Sequence, residues 1–164
     1  MTEQKIIPVT TGIGYGKTPL SSFDAALFQA GVGDLNLIHL SSVIPCNHTP
    51  KIQTNNLNGY RQGDRLYCVY AHRTTDQPGE QLAAGLGWVE TTNPDPRSRW
   101  GLFVEHAGTS PQEVEEQIRN SLESMMQYRN EEDWGEIRHH ITKAVCESDP
   151  VTAIVMAHYK LEAW

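Results

Sequence analysis

A chain of 164 residues is the size of one domain and can bury a core without disulfides or structural metals. Its net charge of −7 argues against a nucleic-acid partner, because such partners require clustered Lys and Arg. The three cysteines, Cys46, Cys68 and Cys146, form no CxxC pattern, so neither a disulfide framework nor a zinc knuckle is predicted. No signal core and no apolar run of roughly 18 residues is present. We therefore expect a cytoplasmic protein with no membrane partner.

The first two predicted elements are a strand and a helix. Residues 5–11 predict a strand, and Pro8 places it near an edge. The glycine-rich residues 12–18 resemble a phosphate-binding loop, but the GxxxxGKT spacing requires a glycine at position 11, where the chain has threonine. We interpret them as a turn leading into a helix. Thr18 and Pro19 are typical of a helix start, and Gly31 of its end.

Two adjacent serines, Ser41 and Ser42, interrupt an apolar strand-like run at residues 34–45. Apolar neighbours on both sides predict that the hydroxyls lie in or beside the core, where each needs a hydrogen-bond partner or a chemical role. One such role is attack on the preceding peptide carbonyl, which splits the chain. A strand end with hydrogen-bonded serines is the simpler interpretation of this run taken alone.

The rest of the chain predicts further strands and one more helix. A polar loop, a hairpin pair, a third strand, a capped helix and two final strands are expected at residues 47–63, 65–71 with 81–90, 100–106, 110–130, 134–146 and 151–161. Glu105 follows three apolar residues, which predicts partial burial and a raised pKa. Asp24, beside Phe23 in the first helix, is most simply a solvated charge.

Seven histidines invite a metal hypothesis. His139 and His140 are adjacent on a predicted strand, so they point to opposite faces and cannot readily share one ion. Cys46 and His48 alone do not make a metal site, and a catalytic thiolate at Cys46 would need an activating base. We therefore expect no metal.

Three motifs occur in order and together closely resemble one family. They are GKTPL with FDAAL at residues 16–27, AGVGDLNLI at 30–38 and LSSVIP at 40–45. They resemble the pyruvoyl-dependent arginine decarboxylases, and GLFVE at residues 101–105 resembles the strand that carries this family's catalytic glutamate. The similarity extends over nearly the whole chain, although residues 47–63 follow no family pattern that we can place.

The resemblance implies that the chain cuts itself between Ser41 and Ser42 into chains 1–41 and 42–164. The Ser42 hydroxyl would attack the Ser41 carbonyl, and elimination with loss of ammonia would convert Ser42 into a covalent pyruvoyl cofactor. Asn36 matches the asparagine that assists this step by holding the reacting carbonyl or its oxyanion. The pyruvoyl ketone would condense with the substrate amine, so that neither pyridoxal phosphate nor a metal is needed.

The same resemblance assigns the substrate L-arginine and the products agmatine and CO2. Glu105 would protonate the carbanion that remains after CO2 leaves. Asp24 matches the carboxylate that holds the guanidinium group of arginine. Leu20, Gly33 and Val43 would complete the substrate pocket.

The implied fold is an α/β (α+β) sandwich in which antiparallel sheets pack together with flanking helices, in a single domain. The implied assembly is a homotrimer, or a dimer of trimers, with active sites between subunits. Two alternatives remain at this point: a pyruvoyl decarboxylase for lysine, ornithine or histidine, and an uncleaved relative with a regulatory or binding role. Agmatine would serve either polyamine biosynthesis or acid resistance.

Overall fold

The computed structural model describes residues 3–54 and 57–164, and within these ranges the chain forms nine strands and two α-helices. The elements in chain order are β1 (Lys5–Tyr15), α1 (Pro19–Gln29), β2 (Asn36–His39), β3 (Val43–Ile44), β4 (His48–Ile52), β5 (Arg65–Thr75), β6 (Gln81–Glu90), β7 (Gly101–Gly108), α2 (Pro111–Gln127), β8 (Arg138–Val145) and β9 (Val151–Glu162). No helix in the described ranges is long and apolar enough to cross a membrane.

The strands form two packed sheets, as predicted. The first sheet has the order β2-β5-β9-β1-β4 and the second the order β3-β7-β6-β8. The second sheet is antiparallel, but in the first β1 pairs with β4 and β2 with β5 in parallel. A purely antiparallel first sheet was therefore the wrong expectation. Its edge strands β2 and β4 enter through crossovers instead of hairpins, and crossovers produce parallel pairs.

The core lies between the sheets, and each helix covers one outer face. Alternate β9 residues such as Val155 face the second sheet, where they meet Leu86 and Phe103. The intervening residues, such as Met156, face α1. On the other side, α2 packs on the second sheet through an apolar stripe that contains Ile118. Because β9 is covered on both faces, it is an almost continuously apolar strand.

β1 is longer than predicted, and its glycines explain why. The strand continues through Tyr15, so the interpretation of residues 12–15 as a turn was wrong. A Cβ atom at Gly12 or Gly14 would overlap the backbone of Ala26 in α1. The glycines at alternate positions therefore let α1 lie directly on the strand, which is a packing requirement and not a phosphate site.

Both helices begin where their capping residues predict. The Thr18 hydroxyl accepts a hydrogen bond from the Ser21 backbone N–H at the start of α1. The Ser110 hydroxyl accepts one from the Glu113 N–H at the start of α2. Each helix has proline at its first position, which lacks the N–H that would otherwise be unsatisfied.

Two further expectations needed correction. The predicted loop at residues 47–63 contains β4, which lies parallel to β1 at the edge of the first sheet. The predicted strand at residues 134–146 becomes regular only at Arg138, since Trp134 forms a single bridge to Thr91. Residues 55 and 56 of the predicted loop lie outside the described residues.

Candidate active site

The chain crosses from one sheet to the other at the serine pair. β2 pairs with β5 in the first sheet, and β3 pairs with β7 in the second. The single strand expected at residues 34–45 is therefore two short strands, with Ser41 and Ser42 at the step between them. Ser42 is half-buried and Ser41 is exposed. The expectation that the hydroxyls lie beside the core is confirmed for Ser42 and wrong for Ser41.

Ser42 is held in an unusual backbone conformation. Its φ is +33°, in the left-handed region that favours glycine. The Val43 N–H donates to the Ser41 carbonyl at 2.7 Å, which closes a three-residue turn centred on Ser42. The Ser42 carbonyl in turn accepts the Phe103 N–H at 2.8 Å. A non-glycine residue held in this region costs of order 1–3 kcal/mol, so the backbone at Ser42 is strained beside the peptide bond that joins the two serines.

Glu105 meets the Ser42 hydroxyl at this step. The Ser42 Oγ donates a hydrogen bond to Glu105 Oε1. The Nε2 atom of His39 lies 3.7 Å from the same carboxylate oxygen. The Glu105 side chain is 24% exposed, which confirms the predicted partial burial. The structure thus brings together the two residues that sequence similarity assigns to cleavage and catalysis.

Tyr159 on β9 contacts the segment that follows the serine pair, although sequence reasoning did not find it. Its hydroxyl donates to the Val43 carbonyl at 3.1 Å, and its ring packs on Phe103 with the centroids 6.0 Å apart. Burial raises the pKa of Tyr159, and the nearby charge of Glu105 raises it further. The hydroxyl therefore remains a protonated donor at neutral pH.

A cleft of about 310 Å³ opens beside Glu105. His39, Tyr70, Ala71, His72, Glu105, His106 and Ala107 line it. The His39 ring stacks on Tyr70 with centroids 4.5 Å apart and planes 19° apart. Desolvation lowers the pKa of His72, and the neighbouring His39 lowers it further. Aromatic faces beside a carboxyl group suit a cationic substrate.

His106 does not compete with Glu105 for this role. His106 borders the cleft, but its Nε2 atom lies 2.8 Å from the Ser121 hydroxyl on α2, on the other side of β7 from Ser42, as strand alternation predicts. Burial lowers the pKa of His106, and the charge of Glu105 opposes this. A neutral imidazole hydrogen-bonded to α2 is a poor proton donor to the cleft.

The predicted opposite orientation of His139 and His140 is also confirmed. His139 Nε2 lies 3.4 Å from Glu115 on α2. His140 lines a separate cavity together with Thr10 and Gln53. The two imidazoles therefore face different layers of the fold.

Two of the expected substrate-binding residues lie on the outer face of α1. Leu20 is 78% exposed and Asp24 is exposed as well. Neither lines the cleft beside Glu105. Val43, by contrast, lies at the serine step, half exposed.

Gly33 and Asn36 also lie apart from Ser42 in this chain. A Cβ atom on Gly33 would lie 2.9 Å from the Phe28 Cα and ring, so glycine allows the turn after α1 to pack on Phe28. The exposed Asn36 donates its side-chain amide to the Gly63 carbonyl at 2.7 Å. The donor on the Ser41 carbonyl is instead the Val43 backbone. The role expected of Asn36 stays a prediction.

Comparison with known proteins identifies relatives along most of the chain. The family model described as pyruvoyl-dependent arginine decarboxylase matches residues 6–162. The pyruvoyl-dependent arginine decarboxylase of Thermococcus kodakarensis is 33% identical over 142 residues, covering 86% of this chain and 85% of the relative. That of Pyrococcus abyssi is 37% identical over 115 residues, covering 70% and 69%. A solved pyruvoyl-dependent histidine decarboxylase matches 91% of this chain and 69% of its own chain, at 13% identity and with a TM-score of 0.43.

Proposed function

The chain belongs to the pyruvoyl-dependent arginine decarboxylase family, and we propose that it cuts itself between Ser41 and Ser42 and then decarboxylates L-arginine to agmatine and CO2. One observation carries the proposal: the Ser42 hydroxyl donates to Glu105 at a turn where φ is +33°. This arrangement places a nucleophile, a proton acceptor and a strained backbone turn together. A strand end without chemistry requires none of them.

The first step is attack by Ser42 Oγ on the Ser41 carbonyl carbon, with the hydroxyl proton passing towards Glu105. The Val43 N–H, 2.7 Å from the Ser41 oxygen, donates to the negative charge that develops there. The bond between the Ser41 carbon and the Ser42 nitrogen then breaks, which leaves an ester and a free amine. Loss of the Ser42 Cα proton expels the Ser41 carboxylate. Water then releases ammonia and leaves a ketone at residue 42.

Backbone strain favours the same step. Residue 42 has a φ angle only while it is joined to residue 41, so cleavage removes the left-handed conformation. The strain that is released is of order 1–3 kcal/mol. The fold thus stabilises the cut chain relative to the intact one at this single bond.

The residues around position 42 fit a pyruvoyl group. The Phe103 N–H already holds the residue 42 carbonyl at 2.8 Å, and the Tyr159 hydroxyl holds the Val43 carbonyl at 3.1 Å. When formed, the group supplies a ketone that takes up the substrate amine and accepts the electron pair released with CO2. Phe103 and Tyr159 would keep the new chain start in place.

Glu105 then serves as the proton donor to the substrate Cα. Cleavage consumes the Ser42 hydroxyl, so the carboxyl group loses the hydrogen bond that it accepts in the intact chain. Its position on the inner face of β7, beside Phe103, limits the water that reaches it. A positioned acid in a partly dry site protonates carbon more selectively than bulk water does.

Arginine recognition is assigned to α1 of a neighbouring copy. Asp24 lies one turn from Leu20 and one turn from Phe28, which are 78% and 71% exposed. Exposed apolar side chains that flank one carboxylate are typical of an interface. We assign this face to the cleft of a second subunit in a homotrimer, or in a dimer of trimers, where Asp24 holds the guanidinium group. The product agmatine would enter polyamine biosynthesis in the cytoplasm.

Intact-mass measurement of the purified protein tests the proposal. Two chains, residues 1–41 and 42–164, are expected, with the larger one blocked to N-terminal sequencing. The Ser42→Ala variant should remain a folded single chain without activity, since it lacks the nucleophile. A parent chain that stays intact after prolonged incubation would contradict the proposal. Product analysis with arginine, lysine, ornithine and histidine then separates the substrates.

A further inference from the structure

We propose that His39 is a positioning residue that returns a proton from solvent to Glu105 after each turnover. The inference rests on the proposed function and deepens it, because it concerns how the acid is recharged. His39 acts through Glu105 and does not touch the reacting carbon. His39 lies between the motifs at residues 30–38 and 40–45, and neither motif predicted this role.

The geometry of His39 joins solvent to the acid. Its Nε2 atom lies 3.7 Å from Glu105 Oε1, and its side chain is 48% exposed while that of Glu105 is 24% exposed. The ring stacks on Tyr70 with centroids 4.5 Å apart and planes 19° apart, which fixes its orientation. One edge of the imidazole therefore faces the carboxyl group while the side chain remains open to water.

Cleavage leaves this contact in place while removing another. In the intact chain the same oxygen of Glu105 accepts the Ser42 hydroxyl. That hydroxyl oxygen leaves with the Ser41 carboxylate when the chain is cut. Among residues 3–54 and 57–164, His39 is the only basic side chain at ion-pairing distance from Glu105. The His39 contact therefore remains beside the acid after the Ser42 hydroxyl has gone.

The reaction itself requires a route for protons. Decarboxylation replaces the bond from Cα to the carboxyl carbon with a bond to hydrogen, so each turnover consumes one proton. Glu105 gives up that proton and must regain one before the next substrate reacts. In the proposed route His39 first takes a proton from solvent, and the resulting imidazolium transfers its Nε2 proton to the Glu105 carboxylate, which returns the imidazole to its neutral form.

The other titratable groups of the cleft are less well placed. His72 and Tyr70 extend from β5, and His72 contacts the Phe23 and Tyr70 rings. Tyr159 extends from β9, where its hydroxyl is engaged with the Val43 carbonyl. His106 is hydrogen-bonded on the α2 side of β7. His39 combines exposure with contact to the acid.

Two variants of His39 and one matched control test the proposal. His39→Gln should lower kcat by roughly 10- to 100-fold, below the full span of general acid catalysis, while KM for arginine and self-cleavage stay at parental values. In His39→Ala, added imidazole should restore kcat as its concentration rises. His139→Gln removes a histidine that pairs with Glu115 at 3.4 Å on the far face of the sheet, and it should behave as the parent does.

A second measurement needs no activity. In the uncleaved Ser42→Ala background, His39→Gln and Glu105→Gln should each lower Tm. Because the two side chains are coupled, the double variant should lose less than the sum of the two losses. This cycle reports the contact between the imidazole and the carboxyl group in a chain that cannot carry the cofactor.

Three results would overturn the proposal: a His39→Gln enzyme with kcat within twofold of the parent, a His39→Ala enzyme that imidazole does not restore, or additive Tm losses. Failure of the proposed function looks different. In that case the parent itself would stay uncut or make no agmatine. If only the relay fails, the parent still cleaves itself and makes agmatine, and replacing His39 leaves kcat unchanged.

Discussion

Two carboxyl groups assigned to one reaction, Glu105 and Asp24, lie in regions of opposite character. Glu105 is 24% exposed on the inner face of β7, with the Ser42 hydroxyl and the His39 ring at its oxygen. Asp24 lies on the outer face of α1 beside Leu20 and Phe28, which are 78% and 71% exposed. In our proposal the groups that break and make bonds therefore lie within one chain, whereas the group that selects the substrate faces outward.

Because Glu105 faces inward and Asp24 outward, self-cleavage and arginine turnover should depend differently on assembly. In our proposal self-cleavage uses the Ser41 carbonyl, the Ser42 hydroxyl and the Val43 N–H, all within one turn of one chain. It should therefore be independent of protein concentration. Arginine turnover requires Asp24 of a second copy in our proposal, so its specific activity should fall when dilution dissociates the assembly.

The largest effect is expected at the inner carboxyl group. Glu105→Gln keeps an oxygen that accepts the Ser42 hydroxyl, so the chain should still cut itself. It removes the acid, so kcat for arginine should fall by roughly 10²–10⁴, the usual contribution of general acid–base catalysis. Intact mass measures the first property and steady-state kinetics the second.

A Glu105→Gln enzyme that decarboxylates arginine at the parental rate would remove Glu105 from the mechanism. His106 would be the next residue to test, although it faces Ser121. Loss of cleavage together with activity would instead show that Gln cannot replace the carboxylate as the acceptor of the Ser42 proton. Glu105 would then differ from Asp24 only in being required for self-cleavage.

The second effect concerns the sheet face beneath α1, which contains a buried histidine. His158 on β9 is 3% exposed, and its Nε2 atom lies 2.8 Å from the Thr10 hydroxyl. Burial lowers the pKa of His158 to about 4. In the unfolded chain it titrates near its ordinary value of about 6.5, so between these values the unfolded state binds more protons. This contribution to stability is complete above about pH 6.5 and is lost as pH falls towards 4.

Denaturant unfolding of the parent and of His158→Gln checks this pH dependence. Between pH 7 and pH 4 the free energy of unfolding of the parent should fall by about 3 kcal/mol more than that of the variant, because only the parent carries this linkage. Carboxylates titrate in both proteins, and subtracting the variant's loss from the parent's removes their contribution. Equal losses would show that His158 is protonated in the folded protein as readily as in the unfolded chain.

The third effect tests the outward carboxyl group. Asp24→Asn should raise KM for arginine by roughly 10- to 150-fold, since a hydrogen bond to a charged group contributes about 1.5–3 kcal/mol. Self-cleavage and Tm should stay parental, because Asp24 is exposed and lies outside the cleft beside Glu105. Glu116→Gln on the exposed face of α2 is the matched control. Unchanged arginine kinetics would show that Asp24 is only a solvated charge and does not bind the substrate.

Much of the fold followed from local patterns in the sequence. Caps at Thr18 and Ser110 placed both helix starts, because these hydroxyls satisfy backbone N–H groups within the first turn. Periodicity alone could not distinguish a turn from a strand at residues 12–15. There the glycines follow from the close approach of α1, and that approach depends on tertiary packing.

The sequence predicted only those site residues that lie within a recognisable motif. Ser42 and Glu105 were found through two family motifs, and the structure places their side chains in contact. Tyr159 and His39 were missed, since their roles depend on which strands become neighbours and on how one ring stacks. Such contacts join residues more than 30 positions apart, and no local pattern in a single sequence encodes them.

The smallest effect is expected from Tyr159, which bridges the two sheets at the start of the second chain that we propose. Its hydroxyl holds the Val43 carbonyl at 3.1 Å, and after cleavage Val43 is the second residue of that chain. β3 contains only two residues, so few other bonds hold this terminus. Tyr159→Phe keeps the packing on Phe103 and removes one hydrogen bond, worth about 0.5–1.5 kcal/mol.

We therefore expect kcat for arginine to fall roughly 2- to 10-fold in Tyr159→Phe, with Tm almost unchanged. The matched control is Tyr67→Phe, which removes a hydroxyl that lies 3.4 Å from Glu162, away from the serine step. Hydrogen exchange of the Val43 amide in the cleaved enzyme separates the possible causes. Faster exchange together with lower kcat means that the hydroxyl holds the chain start in place. A loss of kcat with unchanged exchange would instead mean that Tyr159 acts on the substrate itself, and the inner region would then contain a second group that contacts the substrate.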